Sequence, residues 1–119
     1  MPRVLIVDDA AFMRSMIRDI LGKNGFEIVG EAGNGNEALR LYGELKPDLV
    51  TMDIVMPVKS GIEATREILE EYPDAKVVMC SALGQETLVM EAMEVGAKDF
   101  IVKPFKEAQV LAICRRLMA

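Results

Sequence analysis

The chain contains no histidine and no tryptophan, and only two of its 119 residues are cysteine. Without histidine a zinc site would rest on Cys80 and Cys114, which lie far apart in apolar stretches without metal-ligand spacing. Both read as reduced packing residues, so zinc and disulfide-scaffold chemistry are excluded. Aromatic residues make up 5% of the chain, which leaves little to stack on a flavin ring. No apolar run approaches the roughly 18 residues of a membrane span. The opening Met1-Pro2-Arg3 leads into a hydrophobic segment too short for a signal-peptide core. A soluble, cytoplasmic chain is expected. Basic excess is also missing: the formal net charge is −5, and Arg115-Arg116 is the only adjacent basic pair. Neither nucleic acid nor an anionic membrane is therefore an expected partner.

Hydrophobic residues account for 51% of the chain and charged residues for 28%, the balance of a globular domain rather than a disordered segment. Its length suits one domain, residues 1–119, with one sizeable core. Five short apolar runs have the length of buried strands: Val4 to Val7, Phe26 to Val29, Leu49 to Asp53, Lys76 to Cys80 and Phe100 to Val102. Segments of helical period lie between and after them, at about Ala10 to Asn24, Asn36 to Leu45, Gly61 to Tyr72, Gln85 to Val95 and Lys106 to Met118. In the first helix, Met13, Met16, Ile17, Ile20 and Leu21 form one stripe, and Phe12 falls off it. Strands alternating with amphipathic helices predict an α/β fold of five βα units around a parallel sheet. Gly30, Gly33 and Gly35 match no phosphate-binding glycine motif and read as turn residues.

In an open α/β sheet, ligands bind beyond the carboxyl ends of the strands. Four of the five predicted strand ends carry chemistry: Asp8-Asp9, Asp53, Ser81 and Lys103-Pro104. Taken singly, each has an ordinary explanation, the acidic pair or Ser81 as a helix cap, Asp53 as a solvated strand end, Lys103 as a loop lysine. Taken together they are complementary, and independent accidents do not predict that. Carboxylates about 5 Å apart repel by roughly 3 kcal/mol per pair at an effective dielectric of 20, so three of them imply a counter-ion. With only oxygen ligands on offer that ion is hard, and Mg²⁺ fits best, with Asp9 and Asp53 as direct ligands and Asp8 acting partly through water. A carboxylate beside Mg²⁺, an ammonium and a hydroxyl is arranged for phosphoryl transfer. Asp53, held by the central run, is the expected nucleophile, Lys103 the neutraliser of phosphoryl charge, and Ser81 a hydrogen-bond donor to it.

These residues carry a resemblance. Val4-Leu5-Ile6-Val7-Asp8-Asp9, Asp53-Ile54-Val55-Met56-Pro57 with Gly61, Ser81-Ala82 and Lys103-Pro104-Phe105, in this order, resemble the response-regulator receiver family over essentially the whole chain. Asp8 to Met13 and Lys98 to Phe105 look most like single-domain chemotaxis regulators of the CheY type. The resemblance implies a flavodoxin-like fold with strand order 2-1-3-4-5 and helices on both faces. It implies that Asp53 accepts a phosphoryl group from a histidine kinase, that Asp8, Asp9, Asp53 and the Val55 carbonyl hold Mg²⁺, and that Lys103-Pro104 is cis. Ser81 and Phe100 match the family's switch pair, and Val55 and Leu83 its dephosphorylation-modulating positions. Partner binding is implied around Met90, Lys98, Phe100 and Lys106.

The expected function is that of a stand-alone phospho-switch in chemotaxis, a monomer or transient dimer whose downstream target is a protein, the flagellar motor switch among the candidates. It is expected to assist only its own phosphorylation and autodephosphorylation rather than to act as an enzyme. The same residues would serve a phosphorelay intermediate or the receiver part of a longer regulator. Outside the family, the fold alone would permit a flavodoxin-like cofactor-binding module or a small Mg²⁺ phosphatase. Phe100 stands where a tyrosine is more familiar. Lacking a hydroxyl to reward a water-facing pose, its inward state is expected to be apolar-driven and comparatively favourable even before phosphorylation.

Overall fold

A computed structural model describes all of residues 1–119. Its elements alternate throughout: β1 (Arg3–Val7), α1 (Ala11–Gly22), β2 (Glu27–Ala32), α2 (Gly35–Leu45), β3 (Leu49–Asp53), α3 (Gly61–Glu71), β4 (Val77–Ser81), α4 (Glu86–Val95), β5 (Asp99–Val102) and α5 (Glu107–Met118). All strand pairs are parallel, and the order across the sheet is β2-β1-β3-β4-β5. The expected fold is the one observed.

The alternation of side chains along each strand sorts the core into two layers. Leu5, Val7, Val50, Met52, Val77 and Met79 pack with Ala38, Tyr42, Ile62 and Ile68 of α2 and α3 and with Ala92 of α4. Val4, Ile6, Leu49, Val78 and Ile101 point the other way, against Ile17, Leu21, Val110 and Cys114 of α1 and α5. Strands buried on both faces must be apolar throughout, which explains continuous runs where a half-exposed strand would alternate. Both cysteines are free and buried, as packing residues.

Two glycine expectations are corrected. Gly30 lies inside β2, not in a turn, opposite Leu5 where a bulge shifts the β1–β2 register. A Cβ there would stand 2.8 Å from Leu45 Cδ1, so α2 comes down on the strand where no side chain intervenes. Gly35 opens α2, donating its amide to Lys59 O at 3.1 Å. Only Gly33 keeps a bend.

Register brings the chemistry together. Val7 pairs with Met52, so Asp8 and Asp53, one residue further on, leave the sheet side by side. Asp53 pairs with Cys80 and Ser81 with Val102, which sets Ser81 and Lys103 at the ends of the next two strands. The amide of Lys103 donates to Ser81 O at 2.7 Å and that of Asp8 to Ala32 O at 3.0 Å, fixing both loop starts.

Candidate phosphoryl-acceptor site

Carboxylate oxygens of Asp8, Asp9 and Asp53 lie within 4.8 Å of one another. Asp8 and Asp53 are buried and Asp9 is exposed. Lys103 Nζ reaches over the sheet edge to Asp8 Oδ2 at 2.9 Å and Asp53 Oδ1 at 3.3 Å, closing a gap of 95 residues in the chain. Its bond to proline is cis. One ammonium faces three carboxylates, and the electrostatics show the deficit. Burial, and next the neighbouring Asp8 charge, push the Asp53 carboxyl up to about 6 despite Lys103. Burial would lower the pKa of Lys103, but its hydrogen bond to Asp8 and the charges of Asp53 and Asp8 prevail and raise it. The lysine is thus a fixed cation.

An all-oxygen donor set, two members buried and the third open to solvent, with more negative charge than Lys103 can balance, fits a hard divalent cation such as Mg²⁺. The ordinary explanations for these residues do not hold. The N-cap of α1 is Ala10, without a side-chain cap, and that of α4 is Gln85 rather than Ser81. Asp8 Oδ1 instead accepts from the Ala10 amide at 2.9 Å, which turns its other oxygen toward Lys103.

The loop after β3 is the most constrained part of the rim. Val58 has φ 71°, rare for a β-branched residue, and the Lys59 amide donates to Pro57 O at 2.8 Å across it, a γ-turn. Lys59 ties the loop to Glu67 of α3 and, through its carbonyl, to Gly35 of α2. Gly61 follows, where α3 leaves the sheet edge. Its amide donates to Ile54 O at 2.8 Å, and an added Cβ would overlap the Asp53 carbonyl oxygen. Val55 and Leu83, both exposed, present only apolar side chains at this edge.

Arg14 is a contributor that sequence reading missed. Its Nη1 donates to the Asp8 carbonyl at 2.7 Å and its Nε to Glu31 at 3.0 Å, with Arg18 on the other Glu31 oxygen. A signal was available: a cation near a helix N-terminus opposes the helix dipole and needs a local reason.

Phe100 requires a correction. The residue is 39% exposed, so the inward state is not the one this structure adopts. β5 is an edge strand, and α4, the helix beside it, buries only Ala92, so the ring stays on the wall of a groove of about 480 Å³. Met90 shares that groove, whereas Lys98 and Lys106 are exposed elsewhere; its charged lining residues are Glu86 and Glu94.

Comparison with known proteins agrees with the fold. Residues 4–115 match the sequence profile of the response regulator receiver domain, and the chain belongs to that family. It is 60% identical to the chemotaxis protein CheY of Thermotoga maritima over 109 residues, covering 92% of this chain and 91% of that one. It is 58% identical to protein CcdB of Bacillus subtilis, covering 99% and 98%. Among solved structures it superposes on the chain of a CheX-CheY-BeF3-Mg²⁺ complex from Borrelia burgdorferi with a TM-score of 0.93, at 40% identity, covering 98% and 89%. None of the helices is long and apolar enough to cross a membrane.

Proposed function

We propose that the protein is a CheY-like phospho-switch that takes a phosphoryl group onto Asp53 from the phosphohistidine of a kinase. The observation that carries this is the meeting of Asp53 with Asp8, Asp9 and Lys103 at one sheet edge. In the transfer, an Asp53 carboxylate oxygen bonds to phosphorus while the phosphorus–nitrogen bond of the donor breaks, and the imidazole keeps the electron pair and takes up a proton. Lys103, already within 3.3 Å of Asp53, balances charge on the incoming oxygens. Ser81, at the neighbouring strand end, donates its hydroxyl to one of them. Asp8, Asp9, Asp53 and the Val55 carbonyl would hold Mg²⁺, which supplies charge neutralisation. Similarity to CheY proteins favours a signalling switch over an enzyme.

Chemotaxis is the favoured setting, with the flagellar motor switch as the candidate target, because several CheY proteins are 55–60% identical to the chain. The Borrelia structure, a CheY with BeF3 and Mg²⁺, supports the same use of the acidic site here. Incubation with acetyl phosphate and Mg²⁺ is expected to add one phosphoryl mass to the intact protein, and Asp53→Asn to abolish the gain. Unchanged labelling of Asp53→Asn would overturn the assignment.

A further inference from the structure

The turn from Asp8 to Asp9 is held by a side chain that bonds none of the three carboxylates of the site. We propose that Arg14 is a positioning residue: by holding the Asp8 carbonyl it fixes the peptide plane from which Asp9 projects, and so sets the affinity of the acidic site for Mg²⁺. The affinity rests on the switch reading, whereas the positioning does not.

Every polar group of Asp8 is engaged. Its amide donates to Ala32 O at 3.0 Å, Oδ1 accepts from the Ala10 amide at 2.9 Å, Oδ2 from Lys103 Nζ at 2.9 Å, and the carbonyl from Arg14 Nη1 at 2.7 Å. Asp9 differs. It is exposed, and its carboxylate enters none of the eight ion pairs of the chain. Its constraint comes through the backbone, because the Asp8 carbonyl and the Asp9 amide share one planar peptide unit. The bond from Arg14 is the one hydrogen bond on that unit.

A guanidinium suits this place because its fork can serve two acceptors at once. While Nη1 holds the carbonyl, Nε donates to Glu31 at 3.0 Å, and Arg18 takes the other Glu31 oxygen. Burial would raise the Glu31 carboxyl, but hydrogen bonds from Arg18 and Arg14 prevail and hold it below its usual value, so the anchor stays charged. Gly33 keeps the approach clear, since a Cβ there would stand 3.9 Å from Nη1. Groups behind metal ligands strengthen binding by removing freedom that a ligand would otherwise lose when the ion arrives. Charge argues the other way. A cation close to three carboxylates weakens binding of a second cation, so an Arg14 acting through charge alone would, on removal, leave Mg²⁺ bound more tightly. The two accounts differ in sign.

Arg14→Met keeps the apolar stem and removes the fork. Arg18→Met removes the same charge from the same partner without touching the Asp8 carbonyl. Mg²⁺ titration followed by amide shifts, on proteins whose spectra show them folded, is expected to raise Kd about tenfold or more in Arg14→Met and to leave it within about twofold of the parent in Arg18→Met. Arg14→Lys, with one nitrogen for two acceptors, should fall between Arg14→Met and the parent. In metal-free protein the Asp9 amide is expected to lose order in Arg14→Met, and not in Arg18→Met, by heteronuclear NOE. An unchanged or lowered Kd in Arg14→Met, equal weakening in Arg18→Met, full parental affinity in Arg14→Lys, or an Asp9 amide in Arg14→Met as ordered as in the parent would each overturn the proposal. A parent that binds no Mg²⁺ would instead count against the switch, while the order at Asp9 would still judge Arg14.

Discussion

At the scale of single residues, Asp53 is held against its own ionisation. Burial and then the charge of Asp8 raise its carboxyl to about 6, above the unfolded value of 3.8. A carboxyl raised on folding favours the folded state below its unfolded pKa, and that contribution is lost as pH rises through the folded value. In metal-free buffer Asp53→Asn is therefore expected to be more stable than the parent at about pH 8 and no better at about pH 4, by thermal denaturation. An advantage that does not shrink on acidification would contradict the raised pKa. Val55 and Leu83 bear on the other end of the cycle. Hydrolysis of an acyl phosphate needs a water held in line with the breaking bond, and neither side chain can hydrogen-bond one. Val55→Asn with Leu83→Glu is expected to shorten the phosphoryl lifetime, read by mass after removal of donor. Equal decay would assign the water to Ser81 or to backbone groups.

Among elements, the joint between β3 and α3 governs the site. α3 approaches the end of β3 so closely that only glycine fits at position 61, with the Asp53 carbonyl where a Cβ would go. Gly61→Ala is expected to cost about 2–3 kcal/mol in denaturant unfolding, because either the helix or the strand end must move. Since the strand end bears Asp53, the same substitution should slow labelling by acetyl phosphate. A destabilised variant with parental labelling kinetics would show that the helix alone gives way. A second joint, α1 to β2, runs through Arg14 and Arg18 to Glu31 and fixes the carbonyl of Asp8. The acidic pair thus rests on a strand it is not part of.

Across the whole molecule, the site joins the stability of the fold to its ligand. A cation bound by the folded chain alone stabilises it by mass action, about 2.7 kcal/mol at a concentration of 100 Kd. Mg²⁺ is expected to raise the melting temperature of the parent in this way and to do far less for Asp9→Ala, whose exposed carboxylate contributes little to packing. Equal stabilisation of both would place the ion elsewhere. The primary sequence on its own determined the order of elements and the chemistry of the strand ends, because apolar runs report burial locally and parallel strands always gather their carboxyl ends. Leu49 to Asp53 is legible residue for residue, a central strand being buried on both faces. Gly30 was not, since a glycine inside a strand looks like a turn until the helix that needs its missing side chain is in place. Only the tertiary structure decided that Lys103 bridges Asp8 and Asp53, that Arg14 braces the acidic loop, that Phe100 stays open, and that the groove carries Glu86 and Glu94 rather than Lys98 and Lys106. Each depends on how closely neighbouring elements pack and which side chains face across the gap, and neither periodicity nor composition records that distance.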